Sequence, residues 1–175
     1  MAPPTFRPAN PVTHRDELYN LNLEYLSWVS DEITRLTGLH PQDTVGMDLP
    51  DYVASMIDKA CGDPPPRGAF YLLESDGLVA GMGGLRRVRD GVAEAKRFYV
   101  RPEHRGKRLG EALLQRVMDD ARAFGYRSMV LDTAPFMHPA HRLYEKFGFV
   151  DRGPYEEAEV PKELHGNWRF MECKL

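Results

Sequence analysis

The chain is poor in cysteine. Its 175 residues include two, Cys61 and Cys173, which form no CxxC pair; this excludes a disulfide framework and favours a reducing compartment. Long hydrophobic runs are missing too. No stretch approaches the roughly 20 apolar residues of a membrane span, and Met1-Ala2-Pro3-Pro4 has none of the features of a signal peptide, so the expectation is a cytoplasmic protein with no membrane partner. Neither sign of charge dominates. A formal net charge of -3 argues against nucleic-acid binding as the main task, and no nucleic-acid partner is expected. Internal repeats and low-complexity tracts are also absent, which removes solenoids and disordered arrays.

What is present suits one α/β fold. Hydrophobic residues make up 42% and charged residues 28%, and a length that fills one core but is short for two predicts a single domain over 1–175. Residues 1–13 hold four prolines and suit an extended lead-in with a short edge strand near Phe6. The stripe Leu18, Leu21, Leu23, Tyr25, Leu26, Trp28 and Val29 predicts a helix capped at Thr13, with a break or second helix over 30–37 that ends at Gly38. Residues 39–50 read as a loop. Another helix opens at Asp51 and stops at Cys61-Gly62, before the connector Pro64-Pro65-Pro66.

From residue 69 the period changes to two. Residues 69–74 and 78–85 read as strands joined by the hairpin signal Ser75-Asp76-Gly77, and a third, 92–100, follows Asp90-Gly91. By strict alternation Glu94, Lys96, Phe98 and Val100 share one face of that strand. Leu109, Leu113, Val117, Ala121 and Phe124 then trace an amphipathic helix stopped by Gly125. The strand–helix–strand crossover places the buried-type strand 128–132 parallel to the third strand. A short helix at 139–147, a strand start at Phe149-Val150, a loop over 151–166 and an alternating strand at 168–172 complete the chain.

Between strand and helix stands Arg105-Gly106-Lys107-Arg108-Leu109-Gly110. A helix start offers amides without intrahelical partners and the positive end of the dipole, so a phosphate placed there meets several N–H donors. Gly106 and Gly110 admit a ligand to the backbone, and Arg105, Lys107 and Arg108 add charge. On these residues alone, a phosphate cradle and an ordinary basic turn stand level. Other candidates fare worse. His138 and His141 have no third ligand near them in sequence, so no metal is expected. Cys61 and Cys173 read as inert thiols. Gly81-Met82-Gly83-Gly84 fails as a dinucleotide loop, because Arg86 stands where a third glycine is needed and a strand follows; close approach of a neighbouring backbone or of an acceptor explains it better.

The order of elements, the cradle and Ala140–Phe149, which contains Leu143-Tyr144 and Gly148-Phe149, together resemble the GNAT family of N-acetyltransferases. The specific match spans 92–150. Two departures stand out: Arg108 occupies a usual glycine position, where it still presents its backbone N–H if the local φ is negative, and Met137 stands where an asparagine is common. The resemblance implies the acyl-CoA N-acyltransferase fold, a mixed sheet whose antiparallel meander is followed by a parallel strand pair at the cofactor site. It implies acetyl-CoA as donor, with pantetheine along the backbone of Phe98, Tyr99 and Val100 and the diphosphate at Arg105, Gly106, Lys107, Arg108, Leu109 and Gly110. The acceptor would be a small-molecule or peptide amine, received by residues 17–60 and 151–167, and a homodimer is compatible with it.

Acetyl transfer to an amine has definite needs. An alkylammonium of pKa near 10.4 must lose a proton, the oxyanion needs a donor, for which a main-chain N–H near Phe98 to Val100 serves, and the thiolate must be protonated. The resemblance gives Tyr144 as general acid, with attack directly in a ternary complex. Glu94 is the general-base candidate; pairing with Lys96 or Arg97 on a solvated strand is the equal alternative. Acidic residues 24, 31, 32, 43, 48, 51, 156, 157 and 159 suit either a cationic amine or a solvated surface. Trp28, Tyr52, Tyr155 and Trp168 either wall a pocket or fill the core. Two further readings stay open: a non-catalytic acetyl-CoA-binding sensor or interaction domain of the same fold, and a domain for another nucleotide, which lacks a GxxxxGK[ST] stretch.

Overall fold

A computed structural model describes residues 3–175; Met1 and Ala2, where the signal-peptide reading starts, lie outside the described residues. Seven strands form one sheet in the order β1-β2-β3-β4-β5-β7-β6. The strands are β1 (Thr5–Pro8), β2 (Gly68–Ser75), β3 (Leu78–Arg89), β4 (Val92–Val100), β5 (Ser128–Thr133), β6 (Val150–Arg152) and β7 (Arg169–Lys174). Helices α1 (Arg15–Thr37), α2 (Pro41–Val45), α3 (Leu49–Cys61), α4 (Leu109–Ala123) and α5 (His138–Lys146) pack around them. β2 to β4 form the expected antiparallel meander, β1 adds antiparallel to β2 at the edge, and β4 and β5 are the parallel pair. The fold is a mixed α/β sheet, antiparallel except for the β4–β5 pair, as the family resemblance implies.

Several boundaries differ from the sequence reading, each for a local reason. α1 runs unbroken through 30–37, because no proline or glycine interrupts it and Ile33 and Leu36 carry the apolar stripe on from Val29. It starts at Arg15 after His14, not at a Thr13 cap, and ends on Gly38, whose N–H donates to Thr34 O at 2.8 Å. Residues 39–50 contain a helix, α2. Pro41 supplies its first φ, the Asp43 carboxylate accepts from the His40 N–H at 2.9 Å, and Gly46 closes it at φ 75.

Each face of the sheet has its own core. On one, Leu109, Leu113, Leu114, Val117, Met118 and Ala121 of α4 pack on Tyr71, Leu73, Leu85, Met129, Leu131 and Met171. On the other, Leu18 and Leu21 of α1 and Met56, Ile57, Ala60 and Cys61 of α3 cover Phe70, Leu72, Met82 and Tyr99. A smaller group, Val130, Tyr155 and Phe170, sits under the segment between β6 and β7.

The alternation along β4 breaks, and this corrects the expected facing. Met82 pairs with Tyr99 and Gly84 with Lys96, so β4 spends three steps where β3 spends two, and Arg97 sits at φ 59. That is a bulge. Glu94 and Lys96 therefore share a face with Tyr99, on the α1–α3 side, while Phe98 and Val100 turn to the α4 side with Ala93 and Ala95. Gly83 lies opposite the bulge, where a β-carbon would come 2.9 Å from Leu113 Cδ2 and 3.3 Å from the Phe98 ring, so the glycine-rich stretch serves close packing.

Leu113 is fully buried between α4 and the sheet. Leu113→Ala should lower unfolding free energy by about 3 kcal/mol, read from urea denaturation.

Candidate active site

β4 and β5 pair only as far as Glu94 and Val130. Beyond that point β5 continues to Thr133 alongside β7, while β4 continues to Val100 alongside β3. The two strands part, and residues 95–100 turn a backbone edge without a strand partner into the gap. At the far end of that edge lies the basic turn; at the near end lies a cavity.

The turn has the form of a cradle. Gly106 sits at φ 80, and Arg108, the residue before α4, at φ 57 and ψ 23. The condition of a negative φ is not met: Arg108 takes the left-handed conformation that glycine adopts at no steric cost, and it tolerates the strain. A β-carbon on Gly106 would meet nothing within 4 Å, and one on Gly110 only Leu143 Cδ2 at 3.6 Å, so the mouth of the helix is open. Two of the basic side chains are committed locally. Arg105 donates from Nε to Val100 O at 2.9 Å and lies 6.0 Å from the Trp28 ring, and Lys107 pairs with Asp76 at 3.1 Å. The open amides at 106–110 suit a diphosphate better than those side chains do.

The cavity, about 210 Å³, is lined by α1, α2, α3, β4, β5, α5 and the segment before β7. Tyr144 forms part of its wall. The ring is buried against Phe149 at 5.8 Å in the α4-side core, and burial pushes its phenol above the ordinary tyrosine value, with the nearby Tyr25 and Asp132 adding to the shift. Tyr25, on α1, lines the same space, and burial raises its phenol to about 12.

Glu94 is buried, not on a solvated strand. Its Oε2 is ion-paired with Arg86 Nε, and Oε1 accepts from Tyr155 OH at 2.7 Å. The pairing with Lys96 or Arg97, one of the two alternatives for this residue, is absent among the described residues; the partner comes from β3. Beside it, Asp132 accepts from Trp168 Nε1 at 2.9 Å and lies 3.5 Å from Tyr155 OH. Burial raises its carboxyl to about 6, against the Trp168 hydrogen bond and helped by the charge of Glu94.

Sequence reasoning passed over Asp132, Tyr25, Lys96 and Arg97. The available signal was an aspartate ending an apolar strand directly before α5. Of the four aromatics left open, Tyr52 and Trp168 line the cavity, Tyr155 is core, and Trp28 stands at the surface against Phe136. The acidic residues mostly serve structure: Glu24 pairs with Arg101 at 2.7 Å, Glu32 with Arg35, Glu157 with Arg89 at 2.8 Å, and Asp43 and Asp48 cap α2 and α3. His141 Nε2 contacts Ala134 O at 2.9 Å, and the described residues contain no group of three metal-ligating side chains. Cys61 and Cys173 are buried and unpaired with each other, and burial raises the Cys61 thiol to about 12. No helix among the described residues is long and apolar enough to cross a membrane.

The chain is similar to known proteins both in sequence and in fold. The family model described as "Acetyltransferase (GNAT) family" covers residues 17–149. The chain belongs to the GNAT family. It is an N-acetyltransferase. An uncharacterized N-acetyltransferase of Schizosaccharomyces pombe is 44% identical over 69% of this chain and 76% of its own length. An IAA acetyltransferase of Azospirillum brasilense is 38% identical over 66% of this chain and 89% of its own. The crystal structure of a Klebsiella pneumoniae protein described as a "putative acyl-CoA N-acyltransferase" superposes with a TM-score of 0.70, 25% identity and coverage of 98% and 97%.

Asp132 makes stability depend on pH in a definite direction. Its folded pKa of about 6 exceeds the unfolded value of about 3.9, so the folded state binds the proton more tightly. The contribution is greatest below about pH 4 and is lost as pH rises to about 6. Asp132→Asn should remove that decline, a difference from wild type of about 2 kcal/mol over the window after allowance for cavity solvent, measured as urea midpoints at pH 4, 5, 6 and 7.

Proposed function

We propose that this acetyltransferase moves an acetyl group from acetyl-CoA to a primary amine by direct attack in a ternary complex, with Tyr144 as general acid. The observation that carries this reading is the parting of β4 from β5, which joins the cradle to the Tyr144 cavity along one free backbone edge. Acetyl-CoA, when bound, supplies the electrophilic carbonyl and a thiolate leaving group.

The chain's own residues divide the remaining work. Backbone groups of Phe98, Tyr99 and Val100 hold the pantetheine arm as an added strand would be held. Amides from Arg105 through Gly106, Lys107, Arg108, Leu109 and Gly110 receive the diphosphate. A main-chain N–H of β4 near the bulge stabilises the oxyanion; it is preorganised by the sheet and needs no reorientation. Tyr144 keeps its proton at neutral pH and donates it to the thiolate. For the base, Glu94 has both oxygens engaged, one by Arg86 and the other by Tyr155, which leaves neither turned to an incoming amine. Asp132, with a carboxyl near 6, takes the amine proton more readily, and Glu94 orients Tyr155 beside it. The two buried unpaired thiols favour work in a reducing compartment such as the cytoplasm.

Two substitutions separate binding from chemistry. Tyr144→Phe should cut thiol release at least tenfold while leaving acetyl-CoA affinity, measured by calorimetry, nearly as it was; equal turnover in the two proteins removes Tyr144 from the reaction. Gly110→Glu places a carboxylate at the open helix mouth, where it favours the helix dipole and repels a diphosphate. That variant should melt like wild type and lose the thermal shift given by acetyl-CoA.

A further inference from the structure

The cavity contains two cations that acetyl transfer leaves without a task. Lys96 has a side chain only 6% exposed, and its Nζ has no hydrogen-bond partner among the described residues. Arg97, 11% exposed, comes no nearer to a carboxylate than 4.0 Å, at Glu159 Oε2. Both belong to the cavity lining. A buried ammonium without an acceptor costs free energy that hydration would have supplied, so its place here points to a ligand that completes it.

Glu159 does not complete it. That carboxylate is spread among four cations: Lys59 at 3.1 Å and Arg86 at 3.4 Å on Oε1, Lys96 at 3.6 Å and Arg97 at 4.0 Å on Oε2. Burial alone would raise its pKa, yet Lys96, Arg86 and the rest hold it near 2, so one fixed anion is already saturated. Arg86 has Glu94 as a partner of its own. Lys96 and Arg97 do not, and both stand beyond hydrogen-bonding distance of Glu159.

The opposite charge is also present. Asp132 lines the same space, and no ion pair joins it to Lys96 or Arg97 among the described residues. The cavity is therefore dipolar, with an acceptor for an ammonium or amine and two donors for an anion. Around these polar groups Leu26, Val29, Ile33, Leu39, Val45 and Leu49 supply an apolar wall.

We propose that the acceptor is a free α-amino acid with an apolar side chain, its carboxylate held by Lys96 and Arg97 and its amine directed to Asp132. This rests on the acetyl-transfer reading above. A carboxylate offers two oxygens, one for the Lys96 ammonium and one for the Arg97 guanidinium, and such charge-assisted bonds are strong in a desolvated site. A peptide N-terminus would bring an amide to that position and leave both cations unmatched. In the reaction the amine nitrogen bonds to the acetyl carbon as the carbon–sulfur bond breaks. The amine proton passes to Asp132, the Tyr144 proton to the thiolate, and the products are an N-acetyl amino acid and a free thiol.

The test uses matched probes on the full chain. Leucine and phenylalanine are compared with isoamylamine and phenethylamine, which lack the carboxylate, and with 4-methylpentanoate, which lacks the amine. Wild type should release thiol with at least one of the amino acids at a kcat/KM at least a hundredfold above its decarboxylated counterpart, and calorimetry should detect 4-methylpentanoate. Lys96→Met, isosteric and apolar, should melt no lower than wild type. In it the amino acid's KM should rise at least tenfold, the hundredfold preference should fall below tenfold, and 4-methylpentanoate binding should be lost. Lys96→Arg should restore part of the preference. Thiol release with the simple amines at rates equal to the amino acids overturns the subsite and leaves acetyl transfer standing, as does an equal loss for both classes in Lys96→Met. Lys96-dependent binding of 4-methylpentanoate with no thiol release from any amine supports the subsite and overturns the acetyl-transfer reading instead.

Discussion

One inserted residue in β4 governs the geometry of everything downstream. Arg97 sits at φ 59, a conformation that costs a residue with a β-carbon on the order of 1–3 kcal/mol, and it persists because sheet and helices fix both ends of the strand. Gly83 across from it leaves room for Phe98 and Leu113. The bulge turns Phe98 and Val100 into the α4 core and Tyr99 into the α1–α3 core. It lies just past the last residue of β4 that pairs with β5. A regular strand in the same place would continue its ladder with β5 and close the gap that joins the cradle to the cavity.

The same strand concentrates charge where burial makes charge expensive. Glu94, Lys96 and Arg97 are consecutive or nearly so and all are withdrawn from solvent. Glu94 is satisfied by Arg86 and Tyr155, and its neighbours are not satisfied to that degree. Burial lowers the Lys96 pKa against the pull of Glu159, and it raises that of Asp132. Both shifts have one cause, the removal of water from a space that retains unmatched polar groups. A core built for stability alone would place hydrocarbon there.

Much of this was readable from residue order. The meander, the α4 stripe from Leu109 to Ala121 and the parallel crossover follow from periodicity, turn residues and handedness, which are local or nearly local rules. The family resemblance depended on residues 105–110 and 140–149; the first forms the turn into α4, and the second runs through α5 to the start of β6, with Ala140 and Tyr144 on the cavity wall. The failures are equally physical. Alternation by two cannot register a bulge, so Phe98 and Val100 were assigned the face of Glu94. Residue type alone left the φ of Arg108 open, and the turn imposes the left-handed region. The partner of Glu94 could not come from near neighbours in sequence, because Arg86 reaches it across a hairpin. Asp132, Tyr25, Lys96 and Arg97 lie on β5, α1 and β4, and only tertiary packing brings them to one space.

The buried phenol poses a last question, because a raised pKa makes a tyrosine a poorer acid. The relevant quantity is the difference between donor and acceptor, not either value alone. A thiolate formed in the same cavity loses hydration as well, so its affinity for a proton rises from the aqueous value of about 8.5. Desolvation thus moves Tyr144 and its proposed acceptor in the same direction. A phenolate left behind would be equally unwelcome among Tyr25 and Asp132, both of which raise the pKa of Tyr144, so the proton must be recovered as the acceptor amine yields one. Asp132, near 6, is a group on the cavity wall whose proposed role as base suits it to hold a proton briefly and release it. The polar contents of the cavity therefore work as a set: removing Asp132 should impair reprotonation of Tyr144 as well as deprotonation of the amine.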